Sequence, residues 1–422
     1  MKSILIFLFI VPLHLFAQTS NDTLNLNELV REALMNNSDI QAAELGRDAA
    51  EARLSQAGAL DDPQLTYMRE EMPGFRWNES QMQKIELMQM FRFPSKLSRQ
   101  TEIAEINAEH AHHDHMEVAN SVLAKVRSTY AELWYAQEAI KVNRDNARLL
   151  EQFTALAQTR YGVGTTPQQD VLKSYVETAK LDNELLQLRQ MELTAKAMLR
   201  SLLNRRTSDT LGIAVMPAEL RTLYPVDSLQ ALALKFRGML LHDSLSVMES
   251  GTMVSLAKDE FIPDFKLAVQ YVTIAAEKFR GWSVSVGITL PFAPWTLAKA
   301  HSRIEEAEIQ LKSAQAKYGG SRNMVIATLR ELYAKADAAK KQLANYSSVI
   351  VPQSRRALQA SILAYQTGKT DYLMLIDSYR MFTMLSMEQL MLRMQYEQTL
   401  AELVRTVGYP KIFEGQRERN EQ

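Results

Sequence analysis

The chain has no cysteine in 422 residues. A disulfide scaffold, a thiolate metal site, a cysteine nucleophile and a lipid-modified N-terminal cysteine are all excluded. Glycine (15) and proline (12) are scarce, and Ala, Leu, Glu, Gln, Lys and Arg dominate, which favours long uninterrupted helices. Neither sign of charge is in excess: 48 Lys and Arg face 49 Asp and Glu, so nothing electrostatic points to nucleic acid. Beyond the N-terminus there is no apolar run long enough for a membrane helix, so a membrane role would have to use strands closed into a barrel. A Walker-type phosphate loop, G-x-S-x-G and H-E-x-x-H are also missing, and no catalytic constellation takes their place.

What is present starts with MKSILIFLFIVPLHLFAQ. One lysine, an apolar run and the small residue Ala17 before Gln18 read as a cleaved secretory signal peptide over residues 1–17. An uncleaved anchor is the other reading, for which the run is short.

An internal repeat organises the rest. Tyr161-x-x-Gly164 is followed by DVLKS (Asp170 to Ser174) and then Tyr175; Tyr365-x-x-Gly368 is followed by MLIDS (Met374 to Ser378) and then Tyr379. In both copies the tyrosine lies eleven residues after the glycine. Each copy sits between two heptad-like helical runs and follows a pair of strand-like segments ending in Phe93-Pro94 or Leu290-Pro291. Duplicated strand–strand–helix–turn–helix units suggest a tube. The repeats are taken as 18–210 and 211–408, with a charged tail at 409–422 that reads as disordered.

Within the first repeat, residues 26–57 read as one helix, capped by Asn25 or Asn27. A strand from Leu65 enters a loop around Pro73-Gly74, and Gln81 to Phe93 returns as a strand of poor alternation. Ala119, Leu123, Val126, Tyr130, Leu133 and Ile140 then form a coiled-coil stripe, so a helix is expected over about 98–158. The GVGTTP stretch ends it, and Thr166-Pro167 starts a second helix running to about Leu203. Within the second repeat, a helix capped by Asp227 or Ser228 runs to about Lys258. Phe265, Leu267, Val269, Tyr271 and Thr273 alternate with Asp264, Lys266, Ala268, Gln270 and Val272. Across the EKFRG turn, Trp282, Val284, Val286, Ile288 and Leu290 alternate with small polar residues. Such strands suit a membrane barrel or a half-buried soluble sheet. Four strands cannot close a barrel, so a barrel would need several chains. A helix from about Thr296 to Thr367 follows, with a kink or offset at Pro352; Gly368 makes the turn, and a final helix runs to about Val407.

RYGVGTTPQQDVL (160–172), YQTGKTDYLMLID (365–377) and the two aromatic- or leucine-proline junctions, in duplicated order over nearly the whole mature chain, resemble the TolC-like outer membrane efflux proteins, closest to their heavy-metal and multidrug branches. The resemblance implies a mainly α fold with a small β part. Three chains would give four strands each to a twelve-stranded outer-membrane barrel, continued by a periplasmic coiled-coil tunnel. It implies a passive export duct in a tripartite system, a homotrimer with an adaptor and an inner-membrane pump of the resistance-nodulation-division type. A periplasmic coiled-coil scaffold, or a duct for type I protein secretion, is the alternative. The Tyr-x-x-Gly turns would lie at the periplasmic tip, making Tyr161, Gly164, Thr165, Tyr365, Gly368 and Lys369 candidates for docking. The family's acidic constriction pair would fall at Met374 and Asp377; Asp377 fits and Met374 departs, which would thin the acidic ring.

Two further groups stand out from the residues themselves. EHAHHDH carries His110, His112, His113 and His115, with His110/His113 and His112/His115 three apart on a helix. Weak binding of Zn²⁺, Cu²⁺ or Ni²⁺ is one reading, although histidines on both sides of a helix cannot share one ion; a polar helix face is the other. Methionines cluster at Met82, Met88 and Met90 and at Met381, Met384, Met387, Met391 and Met394, where soft thioethers could carry Cu(I) or simply fill gaps. Tyr67, Trp77, Trp282 and Trp295 are candidates for an interfacial aromatic belt. No cofactor is called for.

Overall fold

A computed structural model describes residues 23–70, 82–217, 219–220, 223–274, 278–291 and 293–408. The expected signal peptide, the expected loop with Trp77 and the charged tail lie outside the described residues. The first half runs β1 (Thr23–Leu24), α1 (Leu26–Asn36), α2 (Ser38–Ala57), β2 (Gln64–Glu70), β3 (Met82–Phe91), α3 (Pro94–Gly162) and α4 (Gln168–Leu202). The second runs β4 (Ile213–Ala214), α5 (Val226–Phe236), α6 (Gly238–Asp259), β5 (Phe265–Ile274), β6 (Phe279–Ile288), α7 (Pro294–Asn345), α8 (Val351–Gln366) and α9 (Tyr372–Val407).

Where the sequence pattern reads as one helix at the start of each repeat, the chain has two. Asn37 breaks the first: its backbone is extended, and its Oδ1 accepts from the N–H of Asp39 (3.0 Å) and Ile40 (3.2 Å), which caps α2. Arg237, also extended, breaks the second at the equivalent place, so the duplication includes the break. Proline acts at Pro352 by a different route. It has no N–H to donate, and the residues just before it, Tyr346–Ile350, form a π-helical turn in which Val351 N–H reaches Tyr346 O.

The four longer strands form one antiparallel sheet in the order β2-β3-β5-β6. Its register resolves the ambiguous alternation of β3. Ile85 sits across from Tyr67 and Tyr271, and Leu87 across from Leu65 and Val269. Trp282, Val284, Val286 and Ile288 continue the same face on β6. The result is a continuous apolar face whose members include Leu65 (73% exposed), Trp282 (74%) and Val286 (73%). The opposite face carries Thr66, Lys84, Glu86, Gln270 and Ser283, with Lys84 paired to Glu70 at 3.0 Å. Met82, Met88 and Met90 belong to this polar face. Among the described residues, β2 and β6 each have one side without a strand partner. Asp264 joins sheet to helix: its Oδ1 accepts from Phe93 N–H (2.9 Å), its carboxylate pairs with buried Lys96 (2.9 Å), and its N–H donates to Thr289 Oγ1 (2.8 Å). No helix among the described residues is long and apolar enough to cross a membrane.

The chain divides into two compact units. One comprises the described residues up to Glu32, with Val126–Arg221 and Lys341–Glu397. Its main core joins Leu150, Phe153, Val171 and Leu181 to Leu358, Tyr365, Tyr372, Leu375, Ile376 and Tyr379. Here β1 pairs in parallel with β4, and Tyr130, buried on α3, pins the pair: its hydroxyl receives Val215 N–H (2.8 Å) and lies 2.8 Å from Leu24 O. The other unit holds Ala33–Lys125, Thr222–Lys340 and the described residues from Gln398. Besides the sheet it contains a core of Leu229, Ala233, Leu240, Val325, Leu329, Leu403 and Val407. A buried charge network sits beside that core: Arg237 meets Glu117 at 2.9 Å and donates to Arg405 O.

Candidate functional site

The two Tyr-x-x-Gly turns share one backbone solution. After α3, Gly164 N–H donates to Tyr161 O (2.9 Å) and Thr165 N–H to Arg160 O (2.9 Å). After α8, Gly368 N–H donates to Tyr365 O (3.1 Å) and Lys369 N–H to Ala364 O (2.9 Å). This is the Schellman closure, which needs a left-handed residue after the helix, and the two glycines have φ of +74° and +72°. The motif is thus a helix stop, duplicated because each hairpin needs one. Asp371 then starts α9, its Oδ1 accepting from Met374 N–H (3.0 Å).

The tyrosines do not share one fate. Tyr161 is 47% exposed, whereas Tyr365 is fully buried. Tyr175 and Tyr379 differ in the same way, at 51% and 2%. Tyr365 therefore belongs to the core and offers no side-chain surface for docking. Arg160 of the first turn lies over its ring (4.8 Å to the centroid) and donates to Tyr365 O (2.6 Å). Between the helices that follow the two turns, α4 and α9, Ser174 Oγ bonds Tyr372 OH, and Glu177 takes Arg380 (2.5 Å) as well as Lys180 of its own helix (2.9 Å). Burial pushes the Tyr372 phenol up to about 12 and that of Tyr379 higher still, so both stay neutral, and the guanidinium of Arg380 holds Glu177 below the usual carboxylate range against its own burial. Gly164, Thr165, Gly368, Lys369 and Tyr161 remain on the exposed turns. Met374 and Asp377 are both exposed on α9, one turn apart, on the side away from Tyr372, Leu375, Ile376 and Tyr379.

The four clustered histidines do not converge. Among the described residues, no three His, Asp or Glu side chains are arranged to hold a metal ion. His110 instead packs against His242 of α6, ring centroids 4.2 Å apart, with Glu249 at 3.6 Å from its Nε2. His113 faces Glu109 at 3.5 Å, and the rings of His112 and His113 lie 5.6 Å apart. His242 stands 3.8 Å from both Asp114 and Asp243. Sequence reasoning missed His242 because nothing in the sequence links it to a cluster on another helix. Burial, first, and neighbouring imidazoles hold His110 and His113 below the ordinary histidine range, against the pull of Glu249, Glu109 and Asp114. Depressed folded-state values mean that the unfolded chain binds more protons on acidification. The stability these residues contribute is therefore complete above about pH 6.5 and is lost as pH falls through their folded values. Between pH 7.5 and 5.5 the melting temperature should fall less for a His110→Gln, His113→Gln double variant than for the parent; equal slopes would remove this cause.

The sequence profile of the outer membrane efflux protein family matches residues 29–205 and 231–409. The chain is 21% identical over 367 residues to the cobalt-zinc-cadmium resistance protein CzcC of Cupriavidus metallidurans, covering 86% of this chain and 85% of that protein. Its fold superposes on the outer-membrane channel OprN (TM-score 0.77, 19% identity, 91% of this chain and 89% of that one). It also superposes on VceC of Vibrio cholerae (TM-score 0.76, 17% identity, 91% of this chain and 96% of that one). The duplicated hairpins, the open four-stranded sheet and the profile match over both repeats lead to one assignment: the chain belongs to the outer membrane efflux protein family.

Proposed function

We propose that the protein is the passive exit duct of a tripartite efflux system, working as a homotrimer with a periplasmic adaptor and an inner-membrane pump. The observation that carries this reading is the sheet. Among the described residues it has two edges without a strand partner, and it has one exposed face dominated by Leu65, Tyr67, Ile85, Leu87, Trp282, Val284 and Val286, which hydrocarbon tolerates only if strands of further copies complete the hydrogen bonding. The relation to CzcC, named for cobalt, zinc and cadmium resistance, supports metal ions within the cargo. The exposed turns around Gly164 and Gly368 are the docking surface for adaptor or pump, through Tyr161, Thr165 and Lys369. Asp377, repeated by symmetry, forms a constriction that favours cations. Purified protein reconstituted in a planar bilayer should conduct, and Asp377→Arg should lower or reverse cation preference while Asp377→Asn weakens it. A conducting protein with unchanged selectivity in both variants would remove Asp377 from the constriction, and a protein that never conducts would remove the duct.

A further inference from the structure

The methionines of α9 form two sets that the sequence does not separate. Met387 and Met394 pack against the cluster of Tyr135, Ala139, Ile140 and Leu188. Met374, Met381, Met384 and Met391 do not: they are 57%, 41%, 60% and 42% exposed. With Asp377 and Glu388, both also exposed, they follow one another at alternating steps of three and four, which places them on a single helix face opposite Tyr372, Ile376 and Tyr379. Over about 25 Å of helix, thioether and carboxylate donors succeed one another every 5–6 Å or so.

We propose that this face is a binding track for soft monovalent metal ions, of the Cu(I) and Ag(I) kind. Thioether sulfur is a soft, neutral donor that selects such ions over Zn²⁺, Mg²⁺ or Na⁺. Met381 and Met384, one turn apart with three rotatable bonds each, can close on one ion from the same helix. Met374 and Met391 extend the track by two turns on either side. Asp377 and Glu388 lie between these sites and supply the negative charge that thioethers lack. Glu388 accepts from the Tyr346 hydroxyl, which fixes it beside the π-helical turn. Arg380, which also acts on Asp377, is bound by Glu177 (2.5 Å), and Arg393 is bound by Glu397 (3.0 Å). Weak, repeated sites suit passage, because an ion must leave each one as readily as it enters.

The inference rests on the duct reading and adds soft monovalent ions to its cargo. It is tested by equilibrium dialysis of the full-length protein in detergent against Ag⁺, with bound silver counted by elemental analysis. Ag⁺ undergoes no redox step in this assay. Replacing Met374, Met381, Met384 and Met391 together by leucine keeps the bulk and apolar character of the face. That variant should bind Ag⁺ at least tenfold more weakly than the parent, while a Met387→Leu, Met394→Leu control binds like the parent and Zn²⁺ uptake is the same in all three. Undiminished silver binding by the fourfold leucine variant, or an equal loss in the control, would overturn the proposal and leave the stripe as a packing seam. Bilayer conductance of the same preparations separates the two claims, since a silent parent protein refutes the duct and a conducting one with unaltered silver binding in the variant refutes only the track.

Discussion

Val284→Arg should abolish stable insertion in the outer membrane, whereas Ser283→Arg, one residue away, should be tolerated. Both positions are exposed in the single chain. They lie on opposite faces of β6: Val284 is across from Val269 in the apolar face, and Ser283 is across from Gln270 in the polar one. An arginine on the lipid face near the middle of a barrel strand costs about 2–4 kcal/mol, and a lumen-facing one costs little. Each copy in an oligomer carries its own charge, so the cost multiplies with subunit number. A sheet bathed in water on both sides would treat the two variants alike. The readout is the fraction of protein that resists a high-salt wash of the membranes; equal retention of the two variants would mean that Val284 does not meet lipid.

The second large effect is expected at Gly408, which ends α9 with φ +72°. A Cβ there would stand 2.5 Å from Phe236 O and 2.8 Å from Arg237 Cα. These are backbone atoms at the break between α5 and α6, and they cannot swing aside as a side chain would. Nor can the break itself shift freely, because Arg237 is buried against Glu117. Left-handed strain and overpacking together should cost on the order of 3 kcal/mol or more for Gly408→Ala. Gly164→Ala is the matched control. Its φ is +74°, but nothing lies within 4 Å of the added carbon, so only the conformational cost of roughly 1–2 kcal/mol remains. Equal losses of thermal stability in the two variants would show that the contact with the α5–α6 break is not felt.

The sequence made the hairpins, the repeat and the strand pairs legible because each has a long periodic signal or a glycine with a fixed task. The same reasoning did not reach features whose cause is tertiary. Asn37 and Arg237 interrupt segments whose composition suits a continuous helix; one break is made by a side-chain cap and the other by an arginine drawn into a buried ion pair. The β1–β4 pair is two residues long on each side and has no period to detect; Tyr130 of α3, 106 residues in sequence from Leu24 and 85 from Val215, holds it. Nor could β3 declare its faces, since Gln89 and the methionines blur the alternation until the register with β5 is known. At the site, identical motifs conceal different environments. Tyr161 and Tyr365 occupy the same place in the repeat, yet only Tyr365 meets Arg160 from the other turn and enters the core. His110 reads as one of four clustered ligands, but its closest ring partner, His242, comes from α6.

Export through this protein requires the open sheets of separate copies to complete one another in lipid. The mass of the full-length protein extracted in a mild detergent, measured by native mass spectrometry, tests this directly. The predicted result is a single species of three chains, released from membranes only by detergent. A monomer that stays in solution without detergent would contradict it.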